Sequence, residues 1–407
     1  MDDRPIVRCI LRHGADVLSV RRPDSDRWDV VSASVDPETS PTAVAHDAVA
    51  ALGFPDATEI VRSADPIVVD ADGTARFCVY PFLFDCEPTV RNAAGDDAVW
   101  IQPPELLDRD TVTGLWETYL AVAPTVRTVR EDTTHGSAYV SIRALEVLRD
   151  RAAVAARDDD DYDAVVTVAR DLRDARPSMG VVANRINRVL ATADRTAAAV
   201  ATHASEACDR AVAADTEAAE RVADLLGERV LTLSRSGTVR DAIRIAGPER
   251  VYVAEARPAR EGIALAEALT EDTAVTLCVD AAVAHVVTTE AVDTVLVGAD
   301  TVTGDAVVNK VGTHLAALTA DRCPDVSCYA VCARDKIVAG SSTDIDLEAG
   351  SAAAVYDGDE PIDVVNPTFE ATPTALFSAI VTDDGVLTGQ DVERIADDHA
   401  ALAEWDR

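Results

Sequence analysis

The apolar run Val295-Leu296-Val297 ends in Gly298-Ala299-Asp300, and Asn309-Lys310-Val311-Gly312-Thr313 follows a short way on. An apolar run of this length reads as a buried strand, which puts Asp300 at its open end, and Gly298 permits close approach there. A carboxylate so placed can transfer a proton. The Asn309-Lys310 stretch reads as the opening of a helix, where free backbone amides and an ammonium suit a phosphate. Together these residues fit a phosphorylated sugar.

Lys310 and Lys336 are the only lysines of the chain, against 35 arginines. A compact ammonium on a flexible stem is a different partner from a planar guanidinium, so local chemistry is a reason for these two to persist. Ser234-Arg235-Ser236-Gly237-Thr238 adds hydroxyls and amides at a second helix start. That segment either holds a phosphate or simply caps its helix.

The elements that must position these groups come as β-α alternation after Gly227. Strands are expected over 229–233, 251–254, 274–279, 294–297, 328–331 and 353–355, with helices over 238–246 and 262–270 between them. Such alternation predicts a Rossmann-like α/β domain over 227–407, a parallel sheet whose ligands sit at the strands' carboxyl ends. Before it, residues 110–226 turn to Ala-, Arg- and Asp-rich helical periodicity. Helices over 138–155, 162–175, 179–193 and 195–226 predict a helical domain. Residues 1–109 read as an α+β domain. Its strands are expected over 6–11, 17–20, 28–31, 66–69 and 75–84, with one helix over 41–52 stopped at Gly53, and Pro103-Pro104 closes it.

At 407 residues, two or three domains are expected. The net charge of −35 repels nucleic acid phosphates, so no direct nucleic-acid partner is expected. The acidity is spread along the chain, as at Asp56, Asp158-Asp159-Asp160-Asp161 and Asp383-Asp384. It reads as a solvated, halophilic surface, the competing use being a site for a basic partner. Eight scattered cysteines without a paired Cys-x-x-Cys spacing read as reduced, buried small side chains rather than a metal site. With no long apolar run and no secretory leader, a cytoplasmic protein off the membrane is expected.

The stretch VLVGADTVTGDAVVNKVGTHLAAL closely resembles the signature of the initiation factor 2B alpha/beta/delta family, which includes the methylthioribose-1-phosphate and ribose-1,5-bisphosphate isomerases. The resemblance extends to Val251-Tyr252-Val253-Ala254-Glu255-Ala256-Arg257-Pro258 with Gly262. It also takes in Asn366-Pro367-Thr368-Phe369-Glu370-Ala371-Thr372-Pro373, and covers roughly residues 130–395. It implies Asp300 as the acid of an isomerase, and substrate contacts from Asn309, Lys310, Lys336, Ser234, Arg257 and Glu261. It implies no cofactor and no metal, and a homodimer or larger homo-oligomer formed through the C-terminal domain.

Three departures bear on activity. Ser234 stands where the isomerases carry a catalytic cysteine, and an unassisted hydroxyl cannot exchange protons near neutral pH as a thiol with a lowered pKa can. Glu261 replaces a glutamine, and Thr134-His135-Gly136-Ser137-Ala138 is the nearest match to the isomerases' Arg-Gly-Ala phosphate loop. With Arg176-Pro177-Ser178-Met179, these changes pull toward the initiation factor branch.

The N-terminal domain resembles the Nudix fold, with Gly53 at the box's terminal glycine and His46-Asp47 at its Arg-Glu pair. Ala50-Ala51 then stands where two metal-binding glutamates belong, so Mg²⁺-dependent hydrolysis is not expected. The leading expectation is a regulatory protein binding a sugar phosphate or nucleoside phosphate, with a possible link to translation initiation factors. The alternative is an aldose-ketose sugar-phosphate isomerase in which another group replaces the cysteine, and a Nudix hydrolase ranks last.

Overall fold

In the computed structural model, residues 4–23, 25–53, 58–71, 75–86, 97–132, 134–158 and 161–406 are described. Asp56 and Asp159-Asp160 of the acidic surface lie outside them. The chain divides into two compact units, one of residues 1–128, 143–165 and 195–209, the other of 129–142, 166–194 and 210–407. The helical stretch expected as a domain of its own is thus divided between them. Its helices are α2 (Leu115–Val122), α3 (Val126–Glu131), α4 (Ser137–Ala155), α5 (Tyr162–Arg173), α6 (Gly180–Thr192) and α7 (Ala197–Ala223). Among the described residues no helix is long and apolar enough to cross a membrane.

The N-terminal unit contains β1 (Arg4–His13), β2 (Asp16–Arg21), β3 (Trp28–Asp29), β4 (Val31–Ser34) and helix α1 (Pro41–Ala50). After these come β5 (Thr58–Ser63), β6 (Ile67–Ala71), β7 (Ala75–Cys86) and β8 (Ala98–Ile101). The sheet runs β3-β2-β1-β7-β5, with β4 on β1, β6 on β7 and β8 on β2. Alternation along β1 assigns its two faces. Val7, Cys9 and Leu11 pack against Ala45 and Val49 of α1, whereas Ile10 packs with Leu115, Tyr119 and Val122 of α2. The first face gives α1 its amphipathic reason to fold; Ala50 and Ala51 are exposed at its end. Arg149 is fully buried beside Asp150, which also accepts the Tyr119 hydroxyl at 2.5 Å. Deleting either partner would strand a charge in a dry interior.

The second unit holds the seven-stranded sheet β11-β10-β9-β12-β15-β17-β18. Its strands are β9 (Arg229–Leu233), β10 (Arg250–Ala254), β11 (Ala274–Cys278), β12 (Thr294–Gly298), β15 (Ser327–Val331), β17 (Ala379–Thr382) and β18 (Gly385–Leu387), all pairings being parallel except β17 with β18. Successive residues point to opposite cores. Val230, Val251, Val253 and Leu296 meet α8 (Gly237–Ala246) and α9 (Glu261–Leu269). Leu231, Tyr252, Val295 and Val297 meet α10 (Val283–Thr289), α11 (Thr313–Asp321) and α12 (Gly389–Leu402). Burial on both faces explains why these strands read as continuous apolar runs.

Two local readings change. The strand expected over 353–355 is a 3-10 turn, Ala352–Ala354, and all three of its residues are exposed. Alanine methyls offer too little apolar surface to favour a strand there. A second sheet, β13 (Thr301–Val302), β14 (Ala306–Lys310) and β16 (Phe369–Pro373), is entirely antiparallel. Thr303, Gly304 and Asp305 turn β13 into β14, with the Thr303 hydroxyl accepting from the Ala306 amide at 3.1 Å.

Gly262 sits where α9 crosses the end of β10, and a Cβ there would lie 2.0 Å from the Ala254 carbonyl oxygen. Gly262→Ala is expected to cost about 1–3 kcal/mol of stability by forcing the backbones apart. Urea denaturation monitored by circular dichroism measures it, and an unchanged midpoint would contradict the close approach.

Candidate functional site

In the large sheet, β9 pairs with β10 on one side and β12 on the other, and from there the order runs outward in both directions. Connections leaving two adjacent strands in opposite directions open a crevice at their carboxyl ends, where ligands bind in open α/β sheets. Ser234 follows β9 and Asp300 follows β12. A Cβ on Gly298 would lie 3.1 Å from the Ser236 Oγ and 3.9 Å from the Asn309 Oδ1. Gly298 therefore lets three segments distant in sequence converge.

Three of the expected site residues form one chain of contacts. The Ser234 hydroxyl donates to Glu261 Oε2 at 3.0 Å, and Lys310 Nζ lies 3.2 Å from Glu261 Oε1. The ammonium also sits over the Phe369 ring, 5.2 Å from its centroid, which favours the cation. Ser234 has φ of +64°. A non-glycine residue there costs about 1–3 kcal/mol, and the surrounding fold holds the hydroxyl toward Glu261 despite it. All three side chains are partly exposed, as a site open to ligand requires.

Asp300 accepts the Ser137 hydroxyl at 2.7 Å, and its amide donates to the Val308 carbonyl. Ser137 opens α4 directly after the loop Thr134-His135-Gly136, and Arg235 donates to the Thr134 carbonyl at 3.1 Å. The segment matched to the isomerases' phosphate loop is thus brought to the crevice. Its contact with Asp300 joins residues 163 positions apart, for which the sequence carries no local signal.

Lys336 is buried, and its ammonium donates to the Ala299 carbonyl at 2.6 Å. It steadies the turn that presents Asp300. Asn309 is buried and donates to the Thr313 hydroxyl at 2.9 Å, tying β14 to the first turn of α11. Arg257 stands apart. It is exposed, its amide donates to Asp280 Oδ2, and among the described contacts it forms none with the Ser234, Glu261 and Lys310 set.

The helix N-termini differ from the sequence reading. Asn309 and Lys310 end a strand, and α11 begins only at Thr313. Its free amides are taken by Glu370, whose Oε1 accepts from Gly312 at 2.7 Å and His314 at 2.8 Å. A carboxylate there satisfies the orphan donors and the helix dipole. At α8 the Ser236 hydroxyl caps the Val239 amide, longer at 3.4 Å.

No thiol stands in for the absent cysteine. Cys332 is electrostatically coupled to Lys336 and Asp300, but it is fully buried and burial pushes its pKa up to about 12. Burial, with Asp280 and Glu255 adding to it, raises Cys278 to about 11. Neither is a thiolate at neutral pH.

A sequence model of the Initiation factor 2 subunit family matches residues 133–389. The methylthioribose-1-phosphate isomerase of Pseudomonas syringae pv. tomato is 31% identical over 350 residues, 74% of this chain and 93% of the relative. With that of Pseudomonas aeruginosa the match is 36% identical over 181 residues, 39% of this chain and 48% of the relative's length. Among solved structures, the translation initiation factor eIF-2B of Pyrococcus horikoshii OT3 aligns with a TM-score of 0.55 at 23% identity, over 64% of this chain and 94% of that one. The 5-methylthioribose 1-phosphate isomerase of the same organism aligns with a TM-score of 0.55 at 22% identity, over 68% and 86%. These last two likenesses speak for the fold. With the sequence match covering more than half its length, the chain belongs to the Initiation factor 2 subunit family.

Proposed function

We propose that the second unit acts on a phosphorylated aldose as a sugar-phosphate isomerase, with the crevice between β9 and β12 as its active site. The observation that carries this reading is the juxtaposition of Ser234, Glu261 and Lys310 across one crevice mouth that Asp300 also borders. The likeness to methylthioribose-1-phosphate isomerases over most of the chain supports the same reaction class.

Isomerisation breaks the bond between C1 and the ring oxygen, moves a hydrogen from C2 to C1 and leaves a carbonyl at C2. Asp300 is the acid for the ring oxygen. Glu261 is the base that accepts the proton released as the C2 carbonyl forms, with the Ser234 hydroxyl relaying between substrate and carboxylate. A carboxylate bonded to the hydroxyl gives Ser234 the assistance that a lone serine lacks. Lys310 supplies positive charge for the phosphate as Glu261 is neutralised.

A second reading, ligand binding in a regulatory role without turnover, is favoured by one observation. Ser234, Glu261 and Lys310 satisfy one another, so the three groups that would do the chemistry are mutually engaged. Self-association through this unit and contact with initiation factors belong to that reading.

A phosphorus NMR time course with methylthioribose-1-phosphate and ribose-1,5-bisphosphate separates the two. Under the isomerase reading a ketose product appears, and Asp300→Asn slows it by about 10²–10⁴-fold with ligand affinity little changed. A ligand-induced rise in melting temperature with no product would replace the isomerase by the regulatory reading, and silence in both assays would overturn both.

Lys310→Ala is expected to weaken sugar-phosphate binding by about tenfold, the loss of one charge-assisted contact. The melting temperature should move little, since the Lys310–Glu261 pair is partly exposed and such pairs contribute about 0–1 kcal/mol. Isothermal titration and thermal unfolding check the two halves; unchanged affinity would remove Lys310 from the site.

A further inference from the structure

Lys336 steadies the turn before Asp300 through the Ala299 carbonyl, and a buried polar cluster in turn holds Lys336. This lysine belongs to the 3-10 turn Arg334–Lys336, which follows β15. Asn184 of α6 donates to the carbonyls on both sides of it, those of Asp335 and Ile337, each at 2.9 Å. His399 of α12 adds a third bond, its Nδ1 lying 2.7 Å from the Ile337 carbonyl oxygen. The Val338 amide then donates to the Val302 carbonyl at 2.8 Å, two residues past Asp300. The lysine turn and the residues around Asp300 are therefore fastened together on both sides.

His399 is only 2% exposed. A carbonyl can only accept, so Nδ1 carries a proton and Nε2 of the neutral ring is an acceptor. It accepts from Nη2 of Arg188 on α6 at 2.9 Å, and the same nitrogen lies 2.7 Å from Asp335 Oδ1. That second contact is not aligned as a hydrogen bond, and Oδ1 is buried without a donor. Asp335 Oδ2 accepts from Arg185 Nε at 3.2 Å, and Arg185 also donates to the Ser141 hydroxyl of α4 at 2.8 Å. The charges facing the imidazole are Asp335 and Arg334 of the turn and Arg188 of α6, while Asp398 on its own helix pairs with Arg334. Burial above all, with Arg188 and Arg334 adding to it, lowers the His399 pKa against the opposing pull of the Ile337 carbonyl and Asp335. The ring is neutral at pH 7. Its hold on the turn is complete above the ordinary imidazole range and is lost as pH falls through the lowered value.

Protonation turns Nε2 from acceptor to donor and sets two cationic donors against each other across the present 2.9 Å. Arg188, whose side chain is 26% exposed, can turn to water. Asp335 Oδ1, 3.7 Å from Nε2, is an acceptor in place for the imidazolium. Closing that gap to the roughly 2.8 Å of a charge-assisted hydrogen bond draws the carboxylate, and the turn that carries it, out of its present position.

We propose that His399 is a proton switch for the turn that presents Asp300: the neutral ring keeps Arg334–Lys336 in place, and protonation moves Asp335 from Arg188 to the imidazolium and loosens the grip of Lys336 on Ala299. The switch acts on where Asp300 is held, whichever of the two readings of the crevice is right.

Hydrogen exchange of the full chain, read by mass spectrometry and corrected for the intrinsic pH dependence, tests the switch between about pH 8 and about pH 5, the span over which imidazoles titrate. The acid side is expected to cost segments 298–303 and 334–338 severalfold in protection while β9 keeps its own. His399→Gln, which cannot titrate, should remove the pH difference in both segments. Arg188→Ala, which deletes a charge opposing protonation, should move the loss to higher pH. NMR of histidine-labelled protein, with the His399 signal assigned by its absence in His399→Gln, should show the ring titrating below the ordinary imidazole range. Protection at 298–303 that ignores pH would overturn the switch. So would the same loss in His399→Gln, or an equal loss in β9, which marks general loosening in acid.

Discussion

The crossover connections of the large sheet leave β9 toward β10 and β12 toward β15, and no helix can cover the seam where they part. Everything else at the site follows from that constraint. The ends of β9 and β12 are left open side by side, and Gly298, with no Cβ, lets Ser236 and Asn309 both come close to the end of β12. The remaining elements bring their groups to the seam from elsewhere: Glu261 at the start of α9, Lys310 at the end of β14, Ser137 at the start of α4. The seam supplies the place and the flanking elements supply the polar side chains that border it.

Within that frame the two lysines divide the work. Lys336, buried, holds the Ala299 carbonyl and so fixes the turn before Asp300, whereas Lys310, partly exposed, faces Glu261 at the opening. A strongly acidic chain needs cations at both places, one for shape and one for charge. The short ammonium suits a single carbonyl acceptor better than a five-donor guanidinium, whose remaining donors would be left unsatisfied in the interior.

The strands β9, β10, β12 and β15 were legible because burial on both faces writes a continuous apolar run into a few adjacent residues. The order of Asp300, Asn309 and Lys310 along the chain was legible for the same local reason. What the sequence hid was non-local or lay at strand edges. The small antiparallel sheet is built from runs as short as Thr301–Val302 and pairs β14 with β16 across a long intervening stretch. The contact of Ser137 with Asp300 spans two regions of different composition. Arg149 and Asp150 look like any charged pair on a helix, and only their distant partners, the Ala15 carbonyl and the Tyr119 hydroxyl, go with their burial. The apolar trio at 353–355 erred the other way, since the pattern of a strand is present without the bulk that makes one.

Glu370 has a consequence for what the crevice can admit. By closing the amides of Gly312 and His314, it removes one of the two helix ends bordering the seam from the reach of any anion and puts a like charge there instead. The α8 end, capped only by a hydroxyl at 3.4 Å, meets an approaching anion without that repulsion. For the sugar phosphate proposed above, the two helix ends are therefore unequal: the carboxylate at α11 opposes an anion, and the hydroxyl cap at α8 does not.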